Sequence, residues 1–513
     1  MLASVRSAAL IGIDAYDVIV EVDAAPGLPQ WTIVGLAAGA VKESRDRVGA
    51  ALLNSGFEVP PRRITVNLAP ADVRKEGSAF DLPIAVGILV ATGQLEAGAL
   101  LDRMFVGELG LDGRLRAMRG ALSVARHALR QKVAALVLPG GNVPEASRAS
   151  ALVLSAPENL NELVRQLREG MLQPAAGRFE SLRPSGDDTD FVDVVGQRAA
   201  KRALEVAAAG GHNVLLIGPP GAGKTMLARR MPTILPALSE EEALEVIAIH
   251  SVAGVLDHTT LGTGIRPFRA PHHTISSAGL IGGGPLPRPG EVSLAHQGVL
   301  FLDEMLEFPR HVLDGLRQPM EDARVVIARA LHAVSYPARF TLIGASNPCP
   351  CGLTGDGHHG CNCAPGDIER YRARLSAPLA DRIDMHVVVG AVALNELSGK
   401  STGDTSATIR ARVEVARIQQ RRRFAKFKGI SCNAFANGRW LDSHTPVSRE
   451  ARTLLQDAAE RLRLSARGYH RVLKVARTIA DLAEVTEIGV QHIGEALRYR
   501  PATRSNDVEI RAS

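Results

Sequence analysis

The stretch Gly218 to Thr225, GPPGAGKT, constrains the local fold more tightly than any other part of the chain. It satisfies the phosphate-loop pattern G-x-x-x-x-G-K-[ST] at Gly218, Gly223, Lys224 and Thr225, with Pro219, Pro220, Gly221 and Ala222 between them. The run Asn213-Val214-Leu215-Leu216-Ile217 ahead of it predicts a buried strand. Met226-Leu227-Ala228-Arg229-Arg230 behind it predicts a helix start. Strand, glycine loop and helix in that order make a cradle in which backbone N–H groups and a helix N-terminus face phosphate oxygens. In such a cradle Lys224 reaches the β- and γ-phosphates of ATP and Thr225 holds Mg²⁺.

A second signal lies further along. Val299-Leu300-Phe301-Leu302 reads as a buried strand ending in Asp303-Glu304. An Asp at that position supports a Mg²⁺ shell, and the adjacent Glu suits a base that polarises water. A third strand, Phe340 to Ala345, leads to Ser346-Asn347. Asn347 then lies at the carboxyl edge of a sheet, where ligands of α/β folds bind, and is placed to position the attacking water or to sense the γ-phosphate. Leu379-Ala380-Asp381-Arg382-Ile383-Asp384 and Ser465-Ala466-Arg467-Gly468-Tyr469-His470-Arg471 each offer an arginine for transition-state charge, although singly either fits a surface ion pair.

The order of these signals resembles an AAA+ ATPase. FRAPHHT (Phe268 to Thr274), PRPGEVSLAHQGVLFLDEM (Pro287 to Met305), NPCPCG (Asn347 to Gly352) and VARTIADLA (Val475 to Ala483) resemble the Mg-chelatase-like subfamily, ComM/YifB type, across about residues 8 to 500. The resemblance implies an α/β AAA+ phosphate-loop core with a helical lid, preceded by an α+β domain like that of Lon proteases. It implies a homohexamer in which Lys224, Thr225, Asp303, Glu304, Asn347 and Arg471 act within one chain. Arg382 would reach the neighbouring subunit's γ-phosphate.

The expected organisation is a first domain over 1–170, a linker over 171–190, an ATPase core over 191–392, a lid over 393–500 and a tail over 501–513. At 513 residues the chain exceeds a single core. In the first domain, strands are expected at Val18–Val22, Trp31–Val34 and Ile64–Leu68, with helices at Val41–Leu53 and Asp81–Thr92. By resemblance to the Lon-type Ser–Lys dyad, Ala79 occupies the nucleophile position and Leu122 the lysine position. No nucleophile–base pair remains, so the domain is expected to be non-catalytic. Ser78 is expected to cap the helix that begins at Asp81.

Net charge is +6, from 60 basic and 54 acidic residues, so any nucleic-acid contact is expected to be a local stripe. Only two Trp and five Tyr argue against a base-stacking platform. No apolar run is long enough to span a membrane, and no signal peptide begins the chain, which points to the cytoplasm. The Gly/Pro-rich insert 262–291 carries Arg266, Arg269, His272 and His273. A hairpin is expected from Val325-Val326-Ile327 and Ala333-Val334-Ser335, with Arg324, Arg329 and His332. In the resembled family the insert points to the ring pore, where basic residues track phosphates.

Cys349 and Cys351, followed across a short glycine-rich loop by Cys361 and Cys363, suit tetrahedral Zn²⁺. The C-x-C spacing is not the usual knuckle, so a tight loop of reduced thiols is the alternative; His358 and His359 read as exposed loop residues and Cys432 as a spectator. In the lid, Ile409, Val413, Val415, Ala416 and Ile418 predict a helical stripe that ends in the basic run Arg421 to Lys428.

The function implied is an ATP-dependent hexameric motor, a branch-migration helicase acting on forked and four-way DNA without sequence preference. Its setting would be homologous recombination during natural transformation, alongside recombination proteins. A Mg-chelatase-type motor subunit and a protein-remodelling ATPase are the rival readings.

Overall fold

A computed structural model describes every residue except 37, 38, 74, 76, 176, 178–188, 257–263, 285, 286, 329–332, 355–359, 392–402, 428 and 501–513. Most of the expected linker, Arg329, His332, His358, His359, Lys428 and the tail therefore lie outside the described residues. Among the described residues, no helix is long and apolar enough to cross a membrane.

The chain forms two compact units. The first comprises residues 1–184, 240–264 and 328–336. Its sheet is built from β1 (Leu2–Ile11), β2 (Asp14–Ala25), β3 (Gln30–Val34), β4 (Arg63–Ala69), β5 (Arg103–Phe105), β6 (Ala135–Val137) and β7 (Val153–Ser155), in the order β3-β4-β2-β1-β5-β6-β7. β1 and β2 pair antiparallel from Leu2↔Asp23 to Ile11↔Asp14. Val18, Val20 and Val22 alternate into the core along β2, as a pleated strand with one covered face requires. Helices α1 (Ser44–Asn54), α2 (Asp81–Ala91), α3 (Ala121–Arg130) and α4 (Leu160–Arg168) complete this part of the unit.

Two expectations for this unit are corrected. Ser78 is not the cap of α2: Phe80 is the flanking residue, and the Ser78 hydroxyl instead donates to the Glu108 carboxylate. The helix start is secured by Asp81, whose buried carboxylate accepts from Arg47 Nε at 2.8 Å and Nη2 at 3.1 Å. The boundary drawn at 191–392 is also not clean, because helix Glu240–Ala253 clusters with the first unit. The reason is apolar burial: its Ile247 and Ala248 pack on fully buried Leu122.

The second unit comprises residues 185–239, 265–327 and 337–513. Its sheet contains β8 (Val214–Ile217), β9 (Phe268–Arg269), β10 (Val299–Leu302), β11 (Thr341–Ser346) and β12 (Met385–Val388), all parallel, in the order β9-β10-β11-β8-β12. Parallel strands covered on both faces read as continuous apolar runs. Val214, Leu216, Val299, Phe301, Ile343 and Ala345 enter one core, while Leu215, Leu300, Leu302 and Leu342 enter the other. Burying Phe301 contributes about 2–3 kcal/mol. Helices α5 (Arg198–Gly210), α6 (Lys224–Ile234), α7 (Ser406–Phe424) and α8 (Ala466–Leu482) pack in the first of these cores.

On α7 the buried stripe is Ile409, Val413, Ala416 and Phe424. Val415 and Ile418 are exposed, since they fall outside the i, i+4, i+7 face that meets the core. The strands expected as a hairpin are Arg324–Ala328 and Ala333–Pro337, which fall on opposite sides of the division between the units.

Candidate functional site

The carboxyl edge of the parallel sheet gathers the residues of three separated motifs. β8 ends at Ile217 and the chain turns through Gly221 (φ 77°) and Gly223 (φ 87°), left-handed conformations that glycine adopts without strain. α6 begins directly at Lys224. The Lys224 ammonium donates to the carbonyls of Gly218 at 2.6 Å and Pro219 at 2.8 Å, and to Asn347 Oδ1 at 3.2 Å. Half-burial lowers its pKa, against the attraction of Asp303 and Glu304.

Thr225 Oγ1 donates to Asp303 Oδ2 at 2.7 Å. This puts two hard oxygen ligands side by side, the donor chemistry Mg²⁺ takes. Glu304 follows with φ 49°, a left-handed backbone that costs a non-glycine residue roughly 1–2 kcal/mol. Its carboxylate is exposed and lies 3.6 Å from His273 Nδ1. His273 therefore belongs to the site, although the sequence placed it only in a Gly/Pro-rich insert. Gln197 was also missed: its amide donates to Gly390 O at 2.6 Å and Ala222 O at 3.2 Å, tying the phosphate loop to the chain beyond β12.

The two expected arginines lie elsewhere. Arg382 has a side chain only 10% exposed, pairs with Glu321, donates to Pro378 O at 2.7 Å and leaves Nε buried without a partner. Arg471 Nε stands 3.8 Å from Asp384 Oδ1, and its Nη1 is likewise buried and unpaired. Asp384 also accepts from Asn213 N at 3.0 Å. Burial would raise the pKa of this carboxyl, but His212 and Arg471 hold it down at about 2.

Asn213 and Asp384 precede Val214 and Met385, which are paired in register at the amino ends of β8 and β12. The phosphate loop leaves the other end of β8, four residues away and thus roughly 13 Å at about 3.3 Å per residue. Arg471, expected to serve its own chain's nucleotide, is thus placed beside Asp384, at the strand end away from Lys224.

Two of the expected pore cations, Arg266 and Arg269, have partners within the chain. Arg266 is engaged inward, donating to Pro236 O and Gln297 O at 2.7 Å each. Arg269 forms a two-pronged pair with Glu291 at 2.6 and 2.7 Å. Arg266 ties the insert to residues outside it, whereas Arg269 closes a pair within it. Arg324 and Arg288 are exposed. In the basic run, Arg423 is committed to buried Asp481, whereas Arg421, Arg422 and Lys426 are exposed.

The four cysteines come together. Sγ separations are 3.3 Å for Cys349–Cys351, 3.6 Å for Cys351–Cys361 and 3.7 Å for Cys349–Cys361. All four sulfurs, that of Cys363 included, lie within 4.8 Å of one another. Tetrahedral Zn²⁺ with bonds of about 2.3 Å requires sulfur atoms about 3.8 Å apart, so the residues fit the ion.

A phosphate loop, an acidic strand end and a polar strand end on a five-stranded parallel sheet with a helical lid define an AAA+ ATPase. Comparison with known families specifies it. Residues 190–397 match the family described as magnesium chelatase, subunit ChlI; residues 20–142 match subunit ChlI of Mg-chelatase; residues 403–500 match the subunit's C-terminal region. The chain is 43% identical over 514 residues to the uncharacterized protein YifB of Salmonella typhimurium, covering 98% of each chain. It is 43% identical over 509 residues to the competence protein ComM of Haemophilus influenzae, again covering 98% of each. A stretch of 196 residues is 31% identical to Lon protease 2 of Bacillus subtilis, covering 33% of this chain and 34% of that one. The chain belongs to the Mg-chelatase family of AAA+ ATPases, in its ComM/YifB type.

Proposed function

We propose that the protein is a ring-forming motor that spends ATP on moving the branch point of forked and four-way DNA. The observation that carries this reading is the separation of the two arginines from the phosphate loop. Lys224, Thr225, Asp303, Glu304 and Asn347 share one sheet edge, while Arg382 and Arg471 stand at the other with unpaired donors. An ATPase so divided is completed by a neighbouring copy, and repeating that relation closes a ring; six subunits are the expected number.

In this reading Lys224 neutralises the β- and γ-phosphates, and Thr225 and Asp303 hold Mg²⁺. Glu304 takes the proton of the attacking water, Asn347 orients that water, and Arg382 and Arg471 of the adjacent subunit stabilise the charge that develops. Cys349, Cys351, Cys361 and Cys363 hold Zn²⁺. DNA is the substrate because the relatives of full-length similarity include a competence protein. The exposed Arg288 and Arg324 provide phosphate contacts on the ATPase unit. The first unit is non-catalytic: Ala79 and Leu122 occupy the dyad positions, and Leu122 is sealed by Ile247 and Ala248. The work is done in the cytoplasm.

The test compares stimulation of ATP hydrolysis by forked DNA, four-way DNA, an unfolded protein and a chelatase partner subunit. Branched DNA stimulating most supports the motor. Stimulation by the protein or the chelatase partner alone overturns it.

A further inference from the structure

We propose that the four-cysteine centre braces the phosphate loop, so that metal held there sets the affinity for nucleotide. This rests on the reading of Cys349, Cys351, Cys361 and Cys363 as a Zn²⁺ site and extends it to the ATPase.

The contact is made by Gly352, the residue after Cys351. Its N–H donates to Cys349 O at 3.0 Å, so residues 349 to 352 form a turn around the first two sulfurs. Gly352 has φ 80°. A Cβ built there would stand 2.6 Å from Cδ and 2.9 Å from Cγ of Pro220, and 3.8 Å from Asn347 Cγ. The backbone of the cysteine turn thus lies directly on a proline ring of the phosphate loop, with no room for a side chain between them.

A second link runs through Asn347, two residues before Cys349. Its amide oxygen takes the Lys224 ammonium at 3.2 Å. Arg372 in the helix Pro365–Arg372 donates to Pro348 O at 3.3 Å, which ties the residue before the turn to that helix.

What fixes the turn is the sulfur cluster. Cys349 is fully buried, whereas Cys351, Cys361 and Cys363 are not, and apolar packing therefore secures only one of the four. Ordering the others against solvent costs backbone entropy. A thiolate-bound ion supplies that ordering, because its binding free energy is folding free energy. The ligand set selects a tetrahedral, thiolate-preferring divalent ion such as Zn²⁺, and not Mg²⁺, which takes oxygen ligands. With the ion in place, Gly352 supports Pro220 and Asn347 receives Lys224. Without it, the support that Gly352 gives Pro220 is released, and Asn347 keeps only its anchor in β11.

The experiment uses the full chain purified without chelator and read by elemental analysis, circular dichroism and titration with a fluorescent ATP analogue in Mg²⁺ buffer. The expected result is about one zinc per chain. Stripping the zinc and removing the chelator should weaken the analogue's Kd at least tenfold with the circular dichroism largely kept, and Zn²⁺ should restore it where extra Mg²⁺ does not. Gly352→Val should weaken the Kd similarly, and its zinc content, measured alongside, separates bracing (zinc retained) from local unfolding of the ligand loop (zinc lost). Zinc absent from the purified chain overturns the metal reading and the proposal with it. Zinc present, with stripped protein and Gly352→Val both binding the analogue like the wild type, overturns the bracing alone. Failure of the zinc-loaded protein to bind the analogue at all overturns the ATPase reading beneath it.

Discussion

Lys224 and Asn347 lie 123 positions apart in the chain, and the ammonium of one donates to the amide oxygen of the other at 3.2 Å. Parallel pairing of β8 with β11, Ile217 opposite Ser346, brings them to the same sheet edge. Thr225 and Asp303 meet at the same edge, so the groups proposed to bind phosphate, hold Mg²⁺ and activate water lie at neighbouring strand ends.

The roles at that edge separate under substitution. Lys224→Ala should weaken ATP binding itself, because the charge facing the phosphates is gone. Glu304→Gln should retain ATP binding and lower turnover at least about a hundredfold, the lower end of the range for a general base. Nucleotide titration and steady-state hydrolysis on the two proteins check this; wild-type turnover by Glu304→Gln would remove the base from its role.

The two arginines should act across a subunit boundary. A mixture of Lys224→Ala protein with Arg382→Ala protein contains interfaces where an intact loop faces an intact arginine, so hydrolysis should partly return. The same return is expected with Arg471→Ala, since Arg471 sits with Asp384 at the far ends of the strands. If Arg471→Ala fails to complement in verified mixed rings while Arg382→Ala succeeds, Arg471 works within its own chain.

The arginines of the insert and of the strand Arg324–Ala328 should divide into structural and DNA-contacting ones. Arg269→Ala leaves the Glu291 carboxylate without its partner, and should lower stability by roughly 1–3 kcal/mol in urea unfolding. Arg324→Ala should leave stability within about 0.5 kcal/mol. It should instead reduce DNA stimulation and flatten the salt dependence of DNA binding by about one unit of slope. The reverse pattern, with Arg269→Ala stable and defective on DNA, would restore Arg269 to the DNA path.

How far the sequence could be read follows the same division. The phosphate loop, Asp303, Glu304 and Asn347 are legible because each is local: a short apolar strand and the residues at its end. Sheet parallelism then assembles them without further information. The partners of Arg266 and Arg269 are not legible, because Pro236, Gln297 and Glu291 reach them only through tertiary packing. Ser78 misled for a similar reason: it had cap chemistry, but Glu108 competed for its hydroxyl. The helix Glu240–Ala253 falls within the expected 191–392 core because its own residues do not reveal the surface on which Ile247 and Ala248 are buried.

Acid should destabilise the ATPase unit through His386. Burial, aided by the charges of Arg500 and Arg471 and opposed by Asp384, pushes its pKa down to about 4. The unfolded chain takes up this proton near about 6.5. The folded state resists it, so the contribution is complete above about 6.5 and is lost as pH falls towards about 4, on the order of 3 kcal/mol in total. Urea midpoints should fall across that window in the wild type and fall less in His386→Gln. Identical pH profiles for the two proteins would mean that His386 titrates normally.

The most direct test of the motor is branch migration on a labelled four-way junction with arms of heterologous and permuted sequence. Wild-type protein with ATP and Mg²⁺ should resolve the junction into its forked products at similar rates for every arm sequence, and Glu304→Gln should bind the junction without moving it. Hydrolysis of ATP by the wild-type protein with no junction converted, on any arm sequence, would contradict a motor that acts on branched DNA.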